Sequence, residues 1–119
     1  MGAPHLSGPG WLLRDGEVLA AAEVANSYRD RIRGLLGRRG YDGALILPRT
    51  RAVHSAGMHF AIDVAFLDRG LRVVDAVVLP PWRCTRPRLR CWGVLEAEAG
   101  AFERWNLRPG DQLELRCPT

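Results

Sequence analysis

The sequence predicts an α+β fold: a compact, mainly antiparallel sheet or barrel of about seven strands, with one amphipathic helix and one short helix. Short apolar runs separated by turn residues predict the strands, and runs joined by tight turns predict hairpins, which make a sheet antiparallel. The strand–helix–strand alternation of a parallel sheet does not occur along the chain. Its 119 residues and 47% hydrophobic content are typical of one globular domain.

The N-terminal third of the chain predicts a hairpin followed by a helix. An Asp-Gly pair at 15–16 separates the apolar runs 11–14 and 18–24, as in a tight hairpin turn. A helix near residues 27–37 follows, because its apolar residues recur at the spacing of one helix face: Tyr28, Ile32, Leu35 and Leu36. The glycines at 37 and 40 end this helix.

The rest of the chain contributes the remaining predicted strands and a short helix. The strands are predicted at 44–47, 62–67, 71–79, 92–97 and 112–117. A short helix is predicted near residues 99–105. Residues 49–60 lack a clear period and predict an irregular excursion. Residues 1–10 are rich in glycine and proline, so we expect a flexible lead-in before a single domain over residues 11–119.

Two features of the sequence bear on its cellular compartment. Residues 1–10 have neither the basic region nor the apolar region of a signal peptide. The longest apolar stretches fall far short of the roughly 20 residues that cross a bilayer. A cytoplasmic location without a membrane span is therefore the expectation.

All seventeen basic residues are arginine, and the formal net charge is +4. The absence of lysine excludes a lysine Schiff base, a P-loop lysine and an SxxK nucleophile. Abundant Arg, Ala, Gly and Pro without Lys are typical of a GC-rich bacterial genome, so composition alone accounts for most of these arginines.

Three cysteines are present, Cys84, Cys91 and Cys117, and an odd count argues against a disulfide framework. Free thiols are the favoured interpretation. Cys84 and Cys91 flank an arginine-dense loop, and nearby cations favour thiolate, so a reversible bridge between them and a catalytic thiol stay open. Their spacing does not match a zinc knuckle.

One loop, residues 81–92, concentrates arginine beside tryptophan, including Trp82, Arg83, Arg86 and Arg88. Arginine pairs with phosphate and carboxylate, and tryptophan stacks on planar groups. An anionic ligand, an acidic protein, nucleic acid and a merely solvated loop all fit this pattern. Acidic residues spread through the rest of the chain disfavour nucleic acid, and so does the lack of a recognisable nucleic-acid motif.

A second polar group lies between residues 53 and 68. His54, His59 and Asp63 are candidate metal ligands, but the two histidines face opposite sides of an extended chain. Ser55 with a histidine and an aspartate matches the residue types of a hydrolase triad, but the sequence does not show a nucleophile elbow around it. Asp63 lies within an apolar strand, so accepting hydrogen bonds from backbone or arginine is its favoured role. Structural histidines are favoured, with ligand contact by His54 as an alternative.

Three spaced segments carry a resemblance to one family. Residues 25–38 are similar to an Arg-x-x-Gly-Leu-Met-x-Arg helix, residues 53–68 to a signature ending in Ile-Asp and a Phe-Leu-Asp strand, and residues 94–111 to a Val-Leu-Glu-x-x-Ala-Gly and Gly-Asp ending. Together they resemble the DUF192 family of small uncharacterised proteins. Over residues 19–115, the resemblance implies a compact, mostly β domain with one helix and no established activity or cofactor. The family's common Phe-Trp-Met-Lys is altered here, because His59 follows Met58 in place of lysine.

We therefore predict a non-enzymatic module, without a cofactor, that binds a protein or a small anionic ligand through loops around residues 53–60 and 82–92. The predicted binding residues are His54, Met58, Asp63, Trp82, Arg83, Arg86 and Arg88. The first alternative is a metal-dependent or other small enzyme around His54, His59 and Asp63. The second is nucleic-acid binding through the arginine-rich loop.

Overall fold

The computed structural model describes residues 10–24, 43–55 and 58–116. Its strands are β1 Gly10–Arg14, β2 Glu17–Val24, β3 Ala44–Pro48, β4 Ile62–Leu67, β5 Val73–Leu79, β6 Gly93–Glu98 and β7 Leu113–Arg116, and its helix is α1 Ala101–Trp105. These elements confirm the predicted α+β class with a mainly antiparallel sheet. The helix predicted near residues 27–37, residues 1–9 of the expected lead-in and Cys117 lie outside the described residues.

The described strands form one sheet in the order β5-β4-β6-β3-β2-β1-β7. Neighbouring strands run antiparallel except β2 and β3, which are parallel. The two edge strands approach each other at one end, where Arg72 bridges Gln112 and the Val73 N–H donates to the Asp111 carbonyl at 2.9 Å. The sheet is therefore curled into a half-barrel.

The first hairpin forms at the Asp-Gly pair, as the sequence predicts. Asp15 and Gly16 have φ angles of 53° and 81°, both in the left-handed region that glycine and aspartate tolerate. Two successive residues of that conformation give the turn whose twist matches paired strands.

No helix in the described residues is long and apolar enough to cross a membrane.

Strand β4 lies inside the sheet and is buried along its whole length, so it sends side chains into both faces. Ile62, Val64 and Phe66 pack into one core, while Ala65 and Leu67 pack into the other. Helix α1 covers the second face through Ala101 and Phe102. The first face is covered by irregular segments that include Val53, Met58 and Cys91. The predicted binding loops therefore lie on the face opposite α1.

Candidate functional site

The two irregular segments 49–55 and 82–92, which we call the loop pair, lie side by side on one face of the sheet. Backbone hydrogen bonds join them along their length: Ser55 N–H to the Arg83 carbonyl at 2.8 Å, Thr85 N–H to the Val53 carbonyl at 2.8 Å, and Arg88 N–H to the Arg51 carbonyl at 3.0 Å. His54 and Cys84 form an antiparallel bridge between them. The structure thus brings together the two loops from which the sequence predicts binding.

Ser55 fixes one end of the loop pair from a fully buried position. Its hydroxyl donates to the Pro80 carbonyl at 2.5 Å and accepts the Arg83 N–H at 2.9 Å. The Ser55 carbonyl accepts the N–H groups of Trp82 and Met58. With its hydroxyl committed to the backbone, Ser55 serves as a structural tie between loops.

Asp63 lies on the opposite face of the sheet, so the structure does not bring it to His54 or Met58. Its Oδ2 accepts the backbone N–H groups of Gly100 and Phe102, both at 3.0 Å. These are donors at the start of α1, where a helix leaves N–H groups without internal partners. Asp63 therefore caps the helix from strand β4, in the backbone-acceptor role that the sequence favours.

The other predicted site residues near Ser55 in sequence are dispersed in the structure. Met58 is 2% exposed and packs in the core beneath the loop pair, while His54 is half-buried and His59 is exposed. Among the residues that the structure describes, no three His, Cys, Asp or Glu side chains are grouped as a metal ion would require. His54, His59 and Asp63 are not gathered into one centre.

The predicted arginines of the loop divide into two kinds. Arg83 and Arg86 are exposed, whereas Arg88 bonds to Asp75 Oδ2 through both Nε at 3.2 Å and Nη2 at 3.0 Å. The Arg88 guanidinium also lies 4.4 Å from the centre of the Phe66 ring. Arg88 thus anchors the loop to the sheet through an ion pair and a cation–π contact.

Trp82 is 66% exposed and has a φ of 61°, a left-handed conformation that is unusual for a bulky residue. The backbone N–H of Trp82 donates to the Ser55 carbonyl at 3.0 Å. The backbone thus holds a large aromatic side chain in solvent at the end of the loop pair that Ser55 fixes.

An open groove of about 750 Å³ lies at the other end of the loop pair. It forms where β3 and β4 end and β6 begins, because the pairing of Gly93 with Pro48 and with Leu67 brings these strand ends together. Four arginines line it: Arg49, Arg51, Arg69 and Arg90. We call this cavity the arginine groove.

Within the described part of the chain, these four guanidinium groups form no side-chain hydrogen bond or ion pair with the protein. Asp68 supplies the one carboxylate among the lining residues, so the lining charge is four positive minus one negative, or +3. The Asp68 Oδ1 accepts the N–H groups of Gly70 and Arg72, both at 2.9 Å, within the β4–β5 turn. The groove therefore presents unneutralised positive charge to solvent.

The sequence predicts binding by arginines of the 82–92 loop but does not point to Arg49, Arg51 and Arg69 as site residues. Each follows a strand or lies in a hairpin turn, and the three are separated along the chain. Their convergence depends on the order of β3, β6 and β4 in the sheet, which periodicity does not reveal. An arginine just after each of two buried strands is the signal that would have pointed to them.

Cys91 lines the groove and is 3% exposed. Its Sγ lies 3.0 Å from the Gly93 carbonyl and 3.2 Å from the Thr50 carbonyl, within reach of a weak S–H hydrogen bond. Burial raises the pKa of this thiol, while backbone hydrogen bonds and the charges of Arg51 and Arg88 oppose the shift. Cys84 is exposed, and both cysteines are free thiols.

Comparisons with known proteins give a family and a fold. A family model described as Uncharacterized ACR, DUF192, matches residues 12–115. A UPF0127 protein from Pyrococcus furiosus is 35% identical over 103 residues, covering 82% of this chain and 89% of the relative. One from Pyrococcus horikoshii is 35% identical over 105 residues, covering 84% and 88%.

Two solved structures share the fold. One is a protein of unknown function from Novosphingobium aromaticivorans, with a TM-score of 0.68, 20% identity, and coverage of 89% of this chain and 83% of that chain. The other, from Sinorhizobium meliloti, is named as a candidate transcription regulator and has a TM-score of 0.69, 23% identity, and coverage of 96% and 98%. At these identities the likeness concerns the fold alone.

Proposed function

The chain belongs to the DUF192 family of uncharacterised proteins, and we propose from its own surface that it is a non-enzymatic module that binds an anionic ligand in the arginine groove. The observation that supports this proposal is the convergence in one cavity of four guanidinium groups that form no ion pair among the described residues. Arginine carries a fixed charge and presents a planar fork of donors that fits phosphate and carboxylate.

Genome composition explains why the chain is rich in arginine, but it does not explain this arrangement. Of the eight other arginines among the described residues, four bond to a carboxylate: Arg14 to Asp111, Arg88 to Asp75, Arg104 to Glu98 and Arg116 to Glu114. In this part of the chain, the arginines without an ion pair converge in one cavity only at the groove, among the lining residues Arg49, Arg51, Arg69 and Arg90. Like charges held in one concave site repel each other and raise the local positive potential. A bound anion relieves this repulsion, which is the physical basis of the proposal.

The exposed side of the loop pair extends the proposed surface away from the groove. Trp82, Arg83 and Arg86 have exposed side chains there, and tryptophan and arginine are the residue types most enriched at binding hot spots. Met58 and Arg88 support this surface indirectly, because they hold the core beneath the loop pair and the loop itself in place, whereas Asp63 holds helix α1 on the opposite face. An acidic segment of a partner protein would satisfy the same chemistry as a small anion.

Calorimetric titration of the protein with pyrophosphate and with citrate tests this function. We expect both anions to bind, and we expect Arg51→Gln/Arg90→Gln to weaken binding by roughly tenfold or more, as the loss of charge-assisted hydrogen bonds predicts. Arg104→Gln is the matched control, since Arg104 is exposed on α1 and pairs with Glu98. If neither anion binds, or if the control weakens binding as much as the double variant, the proposal is wrong.

A single-stranded oligonucleotide in the same titration tests the nucleic-acid alternative. Binding through a phosphate backbone falls steeply with salt because many counterions are released together. The nucleic-acid alternative would replace the small-anion proposal if an oligonucleotide binds far more tightly than pyrophosphate and its affinity falls with salt as steeply as several phosphate contacts predict. Weak oligonucleotide binding, with an affinity that falls only slightly as salt increases, agrees with a compact ligand.

A further inference from the structure

We propose that the ligand of the arginine groove is a nucleoside phosphate, with its phosphate on the arginines and its base against Trp92 and Leu89. This inference rests on the proposed function and names the class of ligand. The lining combines four arginines, a single carboxylate and two large apolar side chains, Leu89 and Trp92. A phosphate, a hydroxyl-bearing sugar and a planar base match these three parts.

The four arginines of the lining fit a doubly charged oxyanion. The four lining guanidinium groups carry no internal hydrogen bonds in the described chain, so their donors are available to a ligand. A guanidinium offers two parallel N–H groups to a phosphate, which gives both strength and orientation. One dianion binding to several arginines neutralises most of the +3 lining charge.

Asp68 argues for a small ligand that also carries hydroxyl groups. Its Oδ1 is committed to the N–H groups of Gly70 and Arg72, while its Oδ2 accepts no hydrogen bond from the described residues. A carboxylate inside a cationic groove repels a continuous polyanion. The same Oδ2 accepts hydrogen bonds from neutral hydroxyls such as those of a ribose. The groove therefore favours one localised phosphate with a sugar beside it over a nucleic-acid strand.

The apolar residues of the lining, Leu89 and Trp92, offer a surface for a flat ring. Leu89 is 84% exposed, although exposing a leucine side chain to water costs free energy, and Trp92, which also lines the groove, is half-buried. A base stacked on an indole buries apolar surface without requiring a specific hydrogen-bond pattern. The groove volume of about 750 Å³ lies within the range of small-molecule sites.

The test compares four probes on the full chain by calorimetry: adenosine 5′-monophosphate, ribose 5-phosphate, inorganic phosphate and adenosine. We expect the nucleotide to bind about tenfold more tightly than ribose 5-phosphate because of base stacking. Adenosine should bind weakest because it lacks the charge. These ligand comparisons use the native protein and do not depend on the folding of a variant.

Two substitutions then locate the base. Trp92→Leu and Leu89→Ser should each reduce the advantage of the nucleotide over ribose 5-phosphate, while affinity for inorganic phosphate stays unchanged. Leu89 is exposed, so its substitution keeps the test valid should the variant at Trp92 fail to fold. Trp11→Leu is the matched control, because it removes an exposed indole on β1 that neither lines the groove nor belongs to the loop pair.

The results distinguish a failure of the nucleoside-phosphate inference from a failure of the proposed anion site. If ribose 5-phosphate and inorganic phosphate bind as tightly as the nucleotide, the base site is wrong and the anion site stands. If adenosine binds as tightly as the nucleotide, the assignment of the phosphate to the arginines is wrong. If pyrophosphate, citrate and all four probes fail to bind, both the proposed function and this inference are overturned.

Discussion

The Ser55 hydroxyl oxygen accepts the Arg83 N–H at 2.9 Å, and the Ser55 N–H donates to the Arg83 carbonyl at 2.8 Å. This reciprocal contact joins residues 28 positions apart in sequence. It holds the 49–55 segment to the 82–92 segment and sets their register. The arginine groove, at the far end of the same loop pair, depends on that register for its shape.

We predict that Ser55→Ala destabilises the protein by about 1–3 kcal/mol, the usual cost of leaving buried backbone groups without a hydrogen-bond partner. The substitution deprives the Pro80 carbonyl and the Arg83 N–H of the hydroxyl. Urea unfolding followed by circular dichroism measures the change. Arg83→Ala is the control, since it leaves the backbone contacts intact and removes only an exposed side chain. Equal stability of the two variants would contradict the role of Ser55.

Asp63 gives a second prediction, about helix α1. Asp63→Ala should lower the free energy of unfolding by roughly 1–3 kcal/mol, because the N–H groups of Gly100 and Phe102 lose a charged acceptor. The control is Glu103→Gln, which changes an exposed carboxylate within the same helix and should shift stability by at most about 0.5 kcal/mol.

Denaturant unfolding compares the two variants, and native-state hydrogen exchange of the α1 amides locates the effect. The helix explanation requires faster exchange in α1 of Asp63→Ala than in Glu103→Gln. If Asp63→Ala keeps native stability and instead abolishes binding of pyrophosphate, Asp63 belongs to a ligand site, as its inclusion among the predicted binding residues also allows.

The strands could be predicted because their signals are local. The Asp-Gly turn at 15–16 and the apolar run of β4 each fix an element from a few neighbouring residues. The parallel pairing of β2 with β3 could not be predicted in this way. Nothing in either strand's own sequence states which partner lies beside it, because strand order is set by long-range packing.

The site could be predicted only in part, for the same physical reason. Trp82, Arg83 and Arg86 are exposed on a loop, and a local cluster of unusual residues is enough to single them out. Arg51 and Arg69 meet across the groove only after three strands align their ends. Asp63 and Met58 lie close to His54 in sequence, but the alternation of β4 and burial in the core separate them.

Gly93 gives a third prediction. A Cβ atom at this position would lie 2.8 Å from the Leu47 carbonyl oxygen, which is closer than real Cβ contacts. Because the neighbour is backbone between paired strands, Gly93→Ala should destabilise the protein by about 1–3 kcal/mol, as overpacking of a core does. Thermal unfolding of Gly93→Ala and of the native protein measures this loss of stability.

Gly70→Ala is the matched control for Gly93, since its Cβ would lie 3.6 Å from Asp68 Oδ1, an ordinary contact. We expect its stability to stay within about 0.5 kcal/mol of the native protein. A Gly93→Ala variant as stable as Gly70→Ala would show that β3 and β6 can separate at no cost.

The fourth prediction concerns the pH dependence of stability. Burial raises the pKa of the Cys91 thiol above its ordinary value of 9.0. An acid whose pKa is higher in the folded state favours folding while it is protonated. This contribution is complete below the pKa of the unfolded chain and is lost as pH rises through the folded pKa. The native protein should therefore lose stability on the alkaline side of neutrality partly because of Cys91.

Urea unfolding at about pH 7 and about pH 10 measures this loss, since an ordinary cysteine titrates between these values. Cys91→Ala should show a smaller alkaline loss than the native protein, because it lacks the buried thiol. Cys84→Ala is the control, as it removes an exposed thiol in place of the buried one. Both tyrosines are present in all three proteins, so their titration cancels in the comparison. An alkaline loss in Cys91→Ala equal to that of the native protein would mean that the Cys91 thiol is not held in its protonated form by the fold.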